Sequence, residues 1–85
     1  MKTNKIAMVF TLGERRTNVE LEEEFWGALQ DVAARQNTDL AILVERLNRR
    51  RGADSLPSAL RMFAIAYYRS AVEAQEAGAI LLRAN

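Results

Sequence analysis

The stretch Arg16–Leu29, RTNVELEEEFWGAL, decides how this chain folds. Within it the apolar spacing changes from two residues to three or four. Thr17, Val19 and Leu21 alternate with Arg16, Asn18 and Glu20, the pattern of a strand with one buried face. From Phe25 onward the apolar positions are Phe25, Leu29, Val32 and Ala33, which share one face of a helix. A strand with a polar outer row therefore runs directly into an amphipathic helix. Glu22, Glu23 and Glu24 suit the join, because the helix macrodipole favours anions at an N-terminus.

Toward the N-terminus, Ile6, Met8, Phe10 and Leu12 alternate with Ala7, Val9 and Thr11. Gly13-Glu14 supplies a two-residue turn with glycine first. Pairing Leu12 with Arg15 sets Phe10 opposite Thr17, Met8 opposite Val19 and Ile6 opposite Leu21. All inward residues then fall on one face, as strand pleating requires. The other face carries Thr11 with Arg16, Val9 with Asn18 and Ala7 with Glu20. Residues 6–21 thus read as a β-ribbon, closed as a hairpin within the chain. The same residues also suit a free N-terminal arm beside a single strand that pairs across a dimer axis.

Toward the C-terminus, the first helix is predicted over 23–36, with Asn37 tolerating the left-handed conformation beyond its end. A second helix follows over 39–50, with Thr38 and Asp39 as N-capping residues and Leu40, Leu43, Val44 and Leu47 on one face. Gly52 closes the basic run Arg49–Arg51. The third helix is predicted over 56–77, since Ser55 caps and Pro57 is tolerated in a first turn. Leu60, Phe63, Ala64, Tyr67 and Ala71 form its apolar stripe, and a fray or bend near Gly78 leaves residues 78–85 as a tail. The expected core and dimer contacts are Val19, Leu21, Phe25, Trp26, Leu29, Leu43, Leu47, Phe63 and Tyr67. Trp26 reads as core or interface rather than as a stacking platform, because it adjoins the buried stripe.

A chain of 85 residues makes one domain, 1–85. At that size only about 60–65% of the unfolded surface is buried, so the core needs a supplement. There is no cysteine for a disulfide and no histidine for a soft-ligand metal site. A hydrophobic fraction of 49% makes self-association the natural supplement, and a homodimer is expected. A ribbon displayed by such a dimer fits the major groove of DNA. Lys2 and Lys5 precede an apolar stretch too short, and without the small-residue cleavage site, for a secretion signal. No stretch approaches the roughly 20 apolar residues of a membrane span, and a cytoplasmic location is expected.

The net charge of +1 is unevenly spread. Lys2, Lys5, Arg15 and Arg16 face only Glu14 in residues 1–18, whereas Glu20, Glu22, Glu23, Glu24 and Asp31 have no cation among them. A basic tip beside an acidic helix start suits a polyanion at one end. Macrodipoles also draw acids to helix starts and bases to helix ends, so part of this pattern, Arg49–Arg51 included, is ordinary helix chemistry. The Glu22–Glu24 cluster has neither a histidine nor a second carboxylate cluster beside it. No enzyme activity, metal or cofactor is expected.

Three motifs carry a family resemblance. Glu24-Phe25-Trp26-Gly27-Ala28-Leu29 follows a strand ending in Leu-Glu, Ser58-Ala59-Leu60-Arg61-Met62-Phe63 comes later, and Tyr67-Tyr68-Arg69 closes the series. From about Phe10 to Arg69 the chain resembles the ribbon-helix-helix DNA-binding family. The resemblance implies a mainly α fold with a short β-ribbon, an added C-terminal helix, and a homodimer in which one strand per subunit pairs antiparallel. It implies that Arg16, Asn18 and Glu20 face base edges in double-stranded DNA. It also implies that Thr38, Asp39 and Leu40 hold a backbone phosphate through N–H groups, with Arg15 contacting phosphate nearby.

Arg16 suits guanine and Asn18 suits adenine, while Glu20 can accept from a cytosine amino group. The leading expectation is a sequence-specific transcription regulator, a repressor, on a pseudo-palindromic operator. The alternative keeps the fold but binds a protein, in the manner of an antitoxin or adaptor, through residues 70–85. Glu20 and Asp39, two anions on the DNA side, favour the alternative; Arg15, Arg16 and Asn18 favour DNA.

Overall fold

The computed structural model describes the backbone of residues 4–84 and the side chains of residues 4–75. Two strands, β1 (Lys5–Leu12) and β2 (Arg15–Glu22), are followed by α1 (Glu23–Arg35), α2 (Leu40–Arg50) and α3 (Leu56–Ala84). The strands form one antiparallel sheet in which Leu12 pairs with Arg15, Val9 with Asn18 and Ile6 with Leu21. This is the hairpin register read from the alternation. Gly13 sits at φ +64°, the left-handed value that a primed two-residue turn demands at its first central position.

β1 of the same chain pairs along one edge of β2, so residues 5–12 are a hairpin strand and not a free arm. A two-residue turn costs little loop-closure entropy, which favours pairing of these adjacent strands. The other edge of β2 carries no strand among the described residues.

All three helices pack behind the sheet. Phe10, Val19 and Leu21 from the strands meet Trp26, Leu29, Val32 and Ala33 of α1, Leu43 and Val44 of α2, and Leu56, Leu60 and Ala64 of α3 in one buried cluster. Phe25, Leu47, Phe63 and Tyr67 are half-buried at its margin. The Trp26 indole, 2% exposed, lies with its ring 5.6 Å from that of Phe10. Its Nε1–H donates to the Ile6 carbonyl at 2.8 Å, and the Glu23 N–H donates to the Asn4 carbonyl at 2.9 Å, so α1 is fastened to the start of β1. Among the described residues no buried side-chain nitrogen or oxygen lacks a partner.

The helix ends follow from single residues. Asn37 has φ +54°, and the Thr38 N–H reaches the Ala33 carbonyl at 2.9 Å while the Asn37 N–H reaches Ala34 at 3.2 Å. That is the paired bonding of a Schellman stop. Ser55 Oγ accepts from the Ser58 N–H at 3.2 Å and caps α3. The fray or bend expected near Gly78 does not end the helix, and the backbone stays helical to Ala84. One glycine costs a helix only about 1 kcal/mol relative to alanine, and Ala77, Ala79, Leu81 and Leu82 around it are good helix formers. Whether the side chains of the expected tail pack on the body lies outside the described residues. No described helix is long and apolar enough to cross a membrane.

Candidate nucleic-acid interface

Pleating turns one row of each strand away from the helices. On β2 the outward row is Arg16, Asn18 and Glu20, and on β1 it is Ala7, Val9 and Thr11; all six are exposed. Opposed across the hairpin are Thr11 and Arg16, Val9 and Asn18, Ala7 and Glu20. Arg15 is exposed beside the turn. Among the described residues, no ion pair engages Arg15 or Arg16, so these cations are free to meet an external anion, whereas Lys5 stands opposite Glu22 on the ladder.

Glu22 sits at the base of the same ribbon and behaves differently. Arg61 of α3 holds it through two hydrogen bonds, Nε to Oε1 at 2.8 Å and a terminal nitrogen to Oε2 at 3.0 Å. The bonds from Arg61 hold the Glu22 carboxyl below its ordinary range, with help from its own backbone amide. The carboxylate is therefore ionised but neutralised from within the chain, and the ribbon loses one repulsive charge toward a polyanion.

The turn between α1 and α2 forms a second feature. An open hollow of about 380 Å³ is lined by Ala34, Asn37, Thr38, Asp39 and Ile42. Asp39 is extended, with φ −91° and ψ 152°, and is exposed; its carbonyl accepts from the Leu43 N–H at 3.0 Å. Its side chain makes no capping bond, contrary to its expected part as a capping group. The first N–H groups of α2 have no partner within the helix, as at any helix start, and the Asp39 side chain does not supply one. Thr38 departs from the expected clamp for a different reason: its N–H is already given to Ala33. Asp39 and Leu40 remain as donors there, and the Asp39 carboxylate stays in solvent near them.

The basic run is largely spent inside its own helix. Arg49 pairs with Glu45 at 2.9 Å, and Arg51 donates to Asn48 Oδ1 at 2.8 Å and to the Asp54 carbonyl at 2.7 Å. Arg51 in this way closes the end of α2 beside Gly52, whose φ is +60°.

Far from the ribbon turn, α3 leaves Ile65, Tyr68 and Val72 exposed. A mainly apolar groove of about 430 Å³ lies between α1 and α3, with Phe25, Ala28, Ile65 and Tyr68 in its walls. The Tyr68 hydroxyl donates to Asp31 at 3.0 Å, which pushes the phenol above its ordinary value.

One feature of the ribbon escaped the reading of the sequence. The contact between Glu22 and Arg61 spans 39 residues and has no local signature. The β1 row was legible, because the register that aligns the inward residues also brings Val9 and Thr11 beside Asn18 and Arg16.

Residues 8–68 match the family model described as Ribbon-helix-helix domain. No functionally curated protein matches the chain. Among solved structures, the chain is similar to an uncharacterized protein from Bordetella pertussis Tohama I, at 28% sequence identity and a TM-score of 0.75. The match covers 85% of this chain, which spans 62% of the length of that one.

Proposed function

The chain belongs to the ribbon-helix-helix family, and on that premise we propose that it is a homodimeric, cytoplasmic transcription regulator, a repressor, which inserts its β-ribbon into the major groove of a pseudo-palindromic operator. Proteins of this family are generally DNA-binding regulators, typically dimeric and non-enzymatic. The observation that carries the proposal is the exposed row Arg16, Asn18 and Glu20 on a ribbon whose opposite face is buried against three helices. Each of these side chains matches a base edge in the groove: Arg16 a guanine, Asn18 an adenine, Glu20 a cytosine amino group. The Asp39 and Leu40 amides and the Arg15 guanidinium are assigned to backbone phosphates, which set register without reading sequence. The dimer's two-fold axis would be mirrored in the half-sites.

The test is a fluorescence-anisotropy titration of random duplex DNA at low and moderate salt, with the oligomeric state measured alongside. Binding by a dimer, with affinity falling steeply as salt rises, supports the proposal, because each phosphate contact releases condensed counterions. A folded dimer that ignores duplex DNA at low salt sinks it.

The exposed apolar side of α3 favours a second reading, a protein-binding module of the same fold. Ile65, Tyr68, Val72 and the groove beside Phe25 would then receive a partner, with residues 70–85 as the docking element. Capture of a partner that is lost on removing residues 70–85, without duplex binding, is the outcome this reading expects.

A further inference from the structure

The hairpin makes the outward face of the ribbon chemically two-sided. β2 contributes Arg16, Asn18 and Glu20, each able to hydrogen-bond a base edge, whereas opposite them β1 contributes Thr11, Val9 and Ala7, which carry no charge, its one cation, Lys5, lying at the far end opposite Glu22. Val9 is the anomaly in this face: a β-branched apolar side chain 55% exposed, at the middle of the outward row. None of the helices covers it, because all three pack on the opposite face. Directly across the ladder stands Asn18. Opposed residues of an antiparallel pair have Cβ atoms about 4.5–5.5 Å apart, so the two side chains present themselves to the same stretch of ligand.

An A·T pair shows two different edges in the major groove, the adenine N6 and N7 on one strand and the thymine C5-methyl on the other. We propose that the opposed residues Val9 and Asn18 read one A·T pair together, Asn18 taking the adenine edge and Val9 the thymine methyl. The proposal rests on the DNA-binding reading above and deepens it by naming the base pair and adding β1 to the reading surface. Charge favours duplex DNA as the occupant of this face: Arg15 and Arg16 form no ion pair among the described residues, and Glu22 is neutralised by Arg61, with Lys5 opposite it on the ladder. A consequence follows from the strands belonging to one chain. The two rows differ, so each ribbon reads its half-site in one direction and has no two-fold symmetry of its own.

The experiment selects a preferred duplex from a random pool and then replaces each thymine by uracil, which lacks the methyl. At one position per half-site the wild-type protein is expected to lose about fourfold in affinity, the worth of one buried methyl group. Val9→Ser should bind the thymine and uracil duplexes equally. Asn18→Ala should keep the uracil effect while losing preference for the adenine by about five- to 150-fold. Both positions are exposed, and circular dichroism of each variant verifies that the fold is kept. A selected site at which every uracil is tolerated, or a Val9→Ser protein that still distinguishes the two bases, overturns this proposal and leaves DNA binding standing. The proposal also fails if no sequence is preferred. Absence of any duplex binding at low salt removes the parent reading as well.

Discussion

Arg61 grips Glu22 from across the fold, with two parallel hydrogen bonds of 2.8 and 3.0 Å joining the last residue of β2 to the middle of the buried part of α3. The pair is partly exposed, with 32% of the arginine and 18% of the glutamate side chain accessible. It does two things at once. It holds α3 against the end of the ribbon where β2 becomes α1, and it cancels a negative charge on the side assigned to DNA. The planar fork of arginine matches a carboxylate in a way that lysine does not.

Acid should loosen this clamp. Glu22 in the folded chain titrates below its ordinary value near 4.5, so its contribution is complete above that value and fades as pH falls through the lower folded one. Urea midpoints measured across the acid range should therefore drop more steeply for the wild type than for Glu22→Gln. Equal slopes would show that the pair adds nothing to stability. Arg61→Lys is expected to fall between the wild type and Glu22→Gln, because the charge is kept while the bidentate fork is lost.

Base reading should be divisible by residue. Arg16→Ala and Asn18→Ala are each expected to weaken binding to a selected operator by roughly 1–3 kcal/mol, and Asn18→Ala also to relax base preference. Unchanged operator affinity in both would end the ribbon mechanism. Glu20→Ser removes an anion from the same row and should tighten binding to random duplex DNA in the anisotropy titration.

Strand pairing within one chain can be trapped covalently, since the chain has no cysteine of its own. Ala7 and Glu20 are opposed on the outward face. The double substitution Ala7→Cys, Glu20→Cys should oxidise to an intrachain disulfide that migrates as a monomer on a non-reducing gel. A covalent dimer instead would mean that the strands exchange between subunits.

Trp26 provides an internal reporter. It is 2% exposed on the inward side, so its emission should stay unchanged when DNA is added and should resist acrylamide quenching. Trp26→Phe keeps the ring contact with Phe10 but loses the bond to the part-buried Ile6 carbonyl. Denaturant unfolding should show a loss of about 0.5–1.5 kcal/mol, the net worth of one hydrogen bond. A red-shifted or DNA-quenched tryptophan would place it at the ligand surface.

Removing residues 70–85 should spare duplex binding, because Leu56, Leu60 and Ala64, the buried contacts of α3 among the described residues, all precede the cut. Loss of binding together with loss of the dimer would assign the distal part of α3 to self-association.

Much of the architecture is a local matter, and the sequence alone determined it. Period-two alternation on both sides of Gly13 specifies the register, since a slip of one residue would turn Val19 and Leu21 to solvent. Asn37 and Gly52 end their helices because they accept positive φ, and Ser55 starts the next by supplying an oxygen to a free amide. Arg16, Asn18 and Glu20 fall on the outward row by parity. What needed the tertiary structure involves groups distant in sequence or competing for one partner. Pattern suits residues 5–12 either as a free arm or as a hairpin strand, and the short turn and the bonds to α1 decide for the hairpin. The Thr38 amide suits either a phosphate or the Ala33 carbonyl, and the Schellman stop takes it. Glu22 reads as one more acid at a helix start until Arg61, 39 residues later, is brought within 2.8 Å. Hydrophobic period is set by neighbours along the chain, whereas the fate of a charge or a single N–H depends on what folding places beside it.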